Sequence, residues 1–367
     1  MMKIGVDARP LSYQLTGIGY FLKYLLDEIQ KIDQQNTYYL ISNTRLEYEL
    51  SNQRWHKVEG KLRGKLLSSV WMQTNVPIIA HRLKIDLYWG SRHQLVLLLP
   101  SKVKTILSIY DIVHRLYPNT MALPNLIIER LLMRLSVMKA SRIVTLSKST
   151  ASDLQTYFKT DSKKLSTIYP GVPTLPAEGS MGGRNQLPNR YFLFVGTLEP
   201  RKNLFKIIKA FEAIEPQKND VYLVVVGAKG WRDRKLLGAL QSSETGKRIL
   251  WHGYVDRTEL RPIYEQAECL LLPSLYEGFG FPILEAMACG TPVITSARAS
   301  MPEVAGEAAI LVNPDNVDQI AAAMRKILAE HDLKRVLIEK GYAQLKRFSW
   351  ASCAGEIIQI FEGVMRV

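Results

Sequence analysis

Patterns that mark many other classes of protein are missing from this chain. It has three cysteines in 367 residues, and Cys269, Cys289 and Cys353 stand singly among apolar neighbours, with no C-x-x-C pair. That excludes a disulfide scaffold and predicts small buried hydrophobes in a reducing compartment. No D-x-D, H-E-x-x-H or Cys/His cluster occurs, so no metal and no resident cofactor are expected. Long apolar runs are also lacking: 95–100 and 269–273 fall far short of the ~20 residues that cross a bilayer. Residues 1–6 run at once into an apolar strand and show no signal-peptide cleavage pattern. No low-complexity tract and no solenoid-period repeat is visible. What remains is an ordinary globular composition, 47% hydrophobic and 22% charged, at a length that suits two domains of roughly 180 residues. A cytosolic chain of enzyme size is the expectation.

Acidic residues are scarce in one half only. The first 185 residues hold 25 Lys and Arg against 13 Asp and Glu, net +12, whereas the remainder holds 23 against 21, net +2. The basicity therefore belongs to the N-terminal half and predicts an anionic partner there: nucleic acid, a phospholipid surface or a phosphorylated substrate. Nucleic acid is the weakest match, because no helix-turn-helix, RRM or zinc-finger signature is present.

Short β-branched runs alternate with amphipathic stretches along the whole chain. In the first half, strands are expected at 3–7, 38–42, 85–89, 104–109 and 142–146, with helices including 20–31 and 125–140. Residues 171–189 follow, rich in proline and glycine and without apolar periodicity, and they predict a linker. The alternation then restarts with strands at 191–195, 221–226, 249–251, 269–272, 292–295 and 309–311, and helices at 204–214, 284–288 and 317–330. Such β-α alternation predicts doubly wound parallel sheets: an α/β protein of two Rossmann-like domains, 1–170 and 190–347, facing across a cleft. The final helical segment, about 348–367, is expected to pack back on the first domain.

Three motifs carry chemistry. The first is the stretch from Leu271 to Ile294, where a buried strand ends in Glu277-Gly278-Phe279-Gly280-Phe281-Pro282 and a helix starts near Pro282. A glycine loop that opens a helix leaves backbone N–H groups at the positive end of the helix dipole, an anion site. Glu277 in the loop and Glu285 one turn into the helix suit the two ends of an elongated ligand, one for sugar hydroxyls and one for a ribose diol. The second motif, Gly196-Thr197-Leu198-Glu199-Pro200-Arg201-Lys202-Asn203, follows the first strand of the second half. There Arg201 and Lys202 suit a diphosphate leaving group. The third is Asp7-Ala8-Arg9-Pro10 followed by Gly17-Ile18-Gly19, half of a dinucleotide fingerprint: the third glycine is replaced by Leu22. As a cofactor motif it is weak; as a loop that lets backbone approach a phosphate or sugar it fits better.

Together these residues resemble the retaining glycosyltransferases of family 4, built on the GT-B fold. The resemblance runs through Gly17 and Gly19, Ser108-Ile109-Tyr110-Asp111-Ile112, Ser147, Tyr169-Pro170-Gly171-Val172, Gly196 to Asn203, Gly227, and the glutamate-x7-glutamate signature in its Gly-Phe-Gly setting. It implies that Glu277 contacts the donor hexose, that Glu285 contacts the nucleoside ribose, and that amides of Gly278 to Pro282 hold sugar and diphosphate. Lys202 matches the family's phosphate-binding lysine. Two positions depart. Where many relatives have an arginine after the glycine, this chain has Thr197, and Arg201 is inferred to supply the missing cation. Where many have a histidine, this chain has Tyr110, which shifts the role there to Asp111. His93 and His114 are single and are expected to be structural or surface residues. The resemblance implies a nucleotide-diphosphate hexose, GDP-mannose first, transferred with retention and without metal to a glycolipid or oligosaccharide acceptor in cell-surface polysaccharide synthesis. The rival readings are a GT-B sugar-nucleotide epimerase and, in a different class, a dinucleotide-dependent oxidoreductase.

One basic stretch stays outside those motifs. Residues 54–71 combine Arg54, His56, Lys57, Lys61, Arg63 and Lys65 with Trp55, Trp71 and leucines. That composition suits either an anionic bilayer surface, met peripherally at the inner face of the cytoplasmic membrane, or a solvated loop. The apolar segment 125–140, with Arg130 and Arg134, is expected to be a core helix with one basic edge.

Overall fold

A computed structural model describes residues 1–12, 15, 17–62, 65–118, 123–176, 187–215, 220–230 and 247–366, with side chains for all of these except 65–67, 123–125 and 128. The chain forms two compact units. One comprises Met1–Arg115, Leu123–Gly171 and Ser349–Val367; the other comprises Leu116–Ala122 and Val172–Phe348.

The first unit contains β1 (Lys3–Asp7), α1 (Gly17–Ile32), β2 (Thr37–Ser42), β3 (Trp55–Glu59), α2 (Lys65–Leu83), β4 (Leu87–Gly90), β5 (Lys104–Ile109), α3 (Val113–Leu116), α4 (Leu123–Lys139), β6 (Arg142–Thr145), α5 (Lys148–Phe158) and β7 (Leu165–Thr167). Among the described residues its strands form one seven-stranded sheet in the order β3-β2-β1-β4-β5-β6-β7, and every neighbouring pair is parallel. The second unit contains β8 (Tyr191–Val195), α6 (Leu204–Ala213), β9 (Tyr222–Val226), β10 (Ile249–Gly253), α7 (Arg257–Glu265), β11 (Cys269–Leu272), α8 (Phe281–Ala288), β12 (Val293–Ser296), α9 (Met301–Ala305), β13 (Ala309–Val312), α10 (Val317–Ala329) and α11 (His331–Leu345). Its six strands, again among the described residues and all parallel, run β10-β9-β8-β11-β12-β13.

Local chemistry explains the element ends. A parallel strand covered by helices on both faces reads as a continuous apolar run, and Tyr-Phe-Leu-Phe-Val of β8 and Cys-Leu-Leu-Leu of β11 are buried at every position. Short polar side chains start the helices: Ser147 accepts from the Thr150 N–H, Asp256 from Thr258 and Asn316 from Gln319, each satisfying a first-turn donor. The last helix, α12 (Trp350–Met365), starts in the same way at Ser349. It returns to the first unit, where the Trp350 ring centroid lies 5.8 Å from Phe21 and 5.2 Å from Tyr24, and Phe361 lies 5.6 Å from Trp89.

Three sequence expectations need correction or bounding. Residues 55–59 of the basic stretch form edge strand β3, not a loop. Trp55 is buried and stacked at 4.3 Å on Tyr38, while His56, Lys57 and Glu59 are exposed, and charge is what edge strands favour. Arg63 of that stretch, together with 177–186 of the linker, lies outside the described residues, as does the side chain of Lys65. Of the three cysteines, Cys269 and Cys353 are buried but Cys289 is only partly so.

Candidate functional site

In a doubly wound sheet, ligands bind beyond the strand C-terminal ends at the point where the strand order reverses. In the second unit that point lies between β8 and β11. The loops leaving those two strands carry the second and first sequence motifs. At the end of β8, Gly196 has φ +152° and donates its N–H to Val226 O at 2.9 Å. Beside it, at the end of β9, Gly227 has φ +153°, and a Cβ there would lie 1.9 Å from the Gly196 carbonyl oxygen. Only glycine fits such an approach. The β8 loop then turns through Pro200–Lys202 into Asn203, in the left-handed region at φ 64°. The Asn203 amide donates to Pro273 O at 3.0 Å and Pro314 O at 2.7 Å, which pins this loop to the end of β11.

The pinned loops join their charges. Glu277, buried, accepts from Ser274 Oγ at 2.9 Å and from Lys202 Nζ at 2.5 Å on Oε1, and from Arg201 at 2.8 Å on Oε2. Arg201 also holds Glu199 at 2.8 Å and the Tyr276 carbonyl at 3.2 Å. Burial raises the pKa of the Glu277 carboxyl, but the charges of Lys202 and then Arg201 outweigh it and bring it down to about 2. Burial lowers the pKa of Lys202, and the Glu277 charge opposes that shift. Two carboxylates and two cations thus make a locally neutral cluster. Lys202 and Arg201 are not bare cations waiting for a phosphate; each already has an acidic partner. Thr197, between Gly196 and this cluster, is exposed.

Glu285 lies on the buried side of α8, not in solvent. Arg257 holds its Oε1 at 2.9 Å, and the Tyr264 hydroxyl donates to Oε2 at 2.9 Å. The helix begins one residue earlier than its proline suggests: Phe281 is its first residue, Gly280 caps it at φ +104°, and no side chain fills the cap. Pro282 has no N–H, so the expected donation by amides from Gly278 to Pro282 stops at Phe281; Pro282 fixes the first turn instead. Ser300 Oγ holds the carbonyls of Glu277 and Phe279 at 2.8 and 2.9 Å. Tyr117, delivered by the short excursion from the first half of the chain, donates to Leu275 O at 3.3 Å. Sequence reasoning missed Ser274, Ser300, Asn203, Arg257, Tyr264 and Tyr117. Asn203, at the end of its motif, and Ser274, three residues before Glu277 in the first motif, carried a local signal; the others are joined to the site by folding alone.

The remaining predicted residues belong to the first unit. Gly17, Ile18 and Gly19 form the first turn of α1, not a loop before it. Gly19 is needed where it stands, because a Cβ would meet the Pro10 carbonyl at 2.9 Å. First-turn N–H groups have no intrahelical partner, so the anion-facing chemistry expected of a loop passes to the helix start. Asp111 uses Oδ1 to cap α3, accepting the Val113 N–H at 3.0 Å. Its neighbour Tyr110 donates to Ser91 O at 2.7 Å. At the sheet's own switch point, between β1 and β4, buried Asp7 and Arg9 form a two-bond ion pair at 2.9 and 2.8 Å.

The two sheets with their crossover helices define the class: this is a GT-B fold. Matched solved structures include sucrose-phosphate synthase from Thermosynechococcus elongatus, at TM-score 0.80 and 17% identity over 100% of both chains. Anabaena HepE in complex with UDP and glucose matches at TM-score 0.72 and 18% identity, over 99% of this chain and 100% of that one. Within the fold, residues 183–344 match the family of glycosyl transferases group 1. Escherichia coli O-antigen chain mannosyltransferase B is 36% identical over 173 residues, 47% of this chain and 45% of that protein. The match thus spans under half of that relative's length.

Proposed function

We propose that this protein is a retaining glycosyltransferase of family 4 that moves a hexose from a nucleotide diphosphate to a lipid-linked or oligosaccharide acceptor in cell-surface polysaccharide synthesis. The observation that carries the reading is the Glu277–Lys202–Arg201 cluster at the switch point of the second unit. It joins a carboxylate able to accept sugar hydroxyls to two cations suited to a diphosphate. Oε2 of Glu277 takes a hydrogen bond from Arg201, and a carboxylate oxygen can accept two. The second lone pair is the one that would accept from the hexose. An arriving diphosphate would compete with Glu277 and Glu199 for Lys202 and Arg201, and the first-turn amides of α8 would add positive potential without a further cation. Glu285, held by Arg257 and Tyr264, would accept from the ribose hydroxyls.

In this scheme no enzyme nucleophile forms a covalent bond. The departing phosphate oxygen takes the acceptor's proton on the same face, while Arg201 and Lys202 stabilise the charge that grows on it. Positioning and charge stabilisation carry the rate, and no metal takes part. The first unit presents the acceptor, with Asp111 and the start of α1 as its contacts. GDP-mannose is the first donor to test, a choice supported by the mannosyltransferase name of the Escherichia coli relative.

The test is a panel of GDP-, UDP-, dTDP- and ADP-sugars read by thermal shift, followed by transfer assays with the donor that binds. A ligand at 100 times its Kd stabilises the folded state by about 2.7 kcal/mol. Glu277→Ala should abolish transfer and keep the fold. Full activity of that variant with every donor would overturn the site. Turnover of the sugar nucleotide without any acceptor would favour the epimerase, and binding of NAD(P) in a fluorescence titration would favour the oxidoreductase.

A further inference from the structure

Outside the candidate site, the first unit exposes an apolar face that a lone globular unit would bury. The sequence pattern suggests α4 as a core helix, yet Ile127, Leu131, Leu135 and Met138 are all solvent-exposed, Met138 at 67%. Their spacing of four, four and three residues puts them on one side of the helix. Arg130 and Arg134 are exposed on that same side, and the Arg130 Nε also holds the His114 carbonyl at 3.4 Å. The other side, with Leu126, Met133, Ser136 and Val137, is the one that packs. The one acidic residue of α4, Glu129, keeps its Oε2 out of solvent.

A second element extends this face. The loop 95–100 runs between α2 and α4 and is tied to both. Gln73 on α2 accepts the Leu97 N–H and donates to Leu95 O, while Ser136 on α4 accepts the Leu95 N–H at 2.8 Å. Lys139 donates to the carbonyls of Leu97 and Leu99. The anchored loop presents Leu98 with 72% of its surface in solvent, and Val70 and Ile78 are exposed on α2. At the C-terminal end of α4, Lys164 donates to Met138 O at 3.2 Å, and its neighbour Lys163 is exposed. These elements of the first unit thus expose apolar side chains alongside Arg130, Arg134 and Lys163.

We propose that this face, α4 with the loop 95–100 and the outer row of α2, docks the protein on an anionic lipid bilayer, lying in the interface without crossing it. Leucine, isoleucine and methionine enter the headgroup boundary while arginine and lysine meet lipid phosphates. No described helix is long and apolar enough to span a membrane. A second copy of the chain is a poorer occupant. An isologous contact would set Arg130, Arg134, Lys163 and Lys164 against the same residues. The inference deepens the lipid-linked acceptor reading and draws its purpose from it. It also moves the membrane contact away from residues 54–71, where Trp55 is core.

Flotation of the full chain with vesicles of phosphatidylglycerol and phosphatidylcholine, against phosphatidylcholine alone, tests it. The wild-type chain should float with the anionic vesicles and lose binding in high salt. Arg130→Gln with Arg134→Gln should weaken binding about thirtyfold, the worth of two surface charges. Ile127→Ser with Leu131→Ser should weaken it at every salt concentration, and so should Leu98→Ser, which lies on a loop and spares the helix. Lys57→Gln with Lys61→Gln should change nothing. Equal binding to neutral vesicles, full binding by the arginine and Leu98 variants, or a dimer in solution that Leu98→Ser dissolves would each overturn the proposal. Donor-induced thermal shift separates the two readings. A chain that shifts with a sugar nucleotide but does not float refutes this surface alone, and one that floats without any shift refutes the transferase reading alone.

Discussion

Glu277 keeps a negative charge in a buried site because two cations face it, and that charge is a stability element in its own right. Its carboxyl sits at about 2 in the folded state against a reference of 4.5. A depressed folded value means stabilisation that is complete above the unfolded pKa and is lost as pH falls through the folded one. The window is therefore roughly pH 5 down to pH 2. Between pH 5 and 3.5 the second unit should lose about 1 kcal/mol through this group. The drop should appear as a difference between wild type and Glu277→Gln in urea melts across that range. Equal slopes would mean that Glu277 is not held ionised by its neighbours. Arg257 offers a second residue-scale contrast. Removing it leaves the Glu285 carboxylate buried beside Tyr264 alone, so Arg257→Leu should destabilise by about 3 kcal/mol. Arg335→Ala, which breaks the exposed pair with Asp332, should stay within about 0.5 kcal/mol. Urea midpoints of the two variants decide this. Such partners are not legible in sequence, since Arg257 and Ser300 stand in no motif and reach the glutamates only because α7 and α9 pack there.

Elements were more legible than partners. β1, β5, β8 and β11 fall where the apolar runs of 3–7, 104–109, 191–195 and 269–272 put them, because a strand buried on both faces leaves an unbroken apolar signature. β3 and β7 left none. The first is an edge strand with one covered face, and the second, Leu165–Thr167, has three residues, none fully buried. Helix starts erred by a turn at α1 and by one to several residues at α8, where glycine and not a polar cap opens the helix. Strand ends reveal a sharper constraint. Gly227 and Gly253 close adjacent strands β9 and β10, both at positive φ. A Cβ at Gly227 would fall 1.9 Å from backbone, whereas nothing lies within 4 Å of one at Gly253. Gly253→Ala should therefore cost only the backbone term, about 1 kcal/mol. Gly227→Ala should cost at least ~3 kcal/mol or prevent the second unit from folding, because the strand end has to move. Thermal denaturation of the pair separates strain from clash.

At the scale of the molecule, the chain leaves the first unit after Gly171, builds the second, and returns at Ser349. The return is fastened by aromatic packing: Trp350 against Phe21 and Tyr24, and Phe361 against Trp89. Gly171 marks the crossing, since a Cβ there would meet the Trp350 ring at 2.3 Å. The last helix is thus part of the core of the first unit, although it follows the second unit in sequence. Phe361 is fully buried, and its truncation leaves a large cavity. Phe361→Ala should destabilise the first unit by about 3–5 kcal/mol. If the two units unfold separately, calorimetry should show one transition moved down and the other in place. The donor-induced shift should persist on the transition that does not move, because Glu277, Lys202, Arg201 and Glu285 all belong to the second unit. A uniform fall of a single transition would instead mean that the units unfold as one. Loss of the donor shift at temperatures where the second unit is intact would mean that α12 supports the donor site directly. Either result would be informative about coupling, but only persistence of the shift agrees with a nucleotide site built wholly from the second unit.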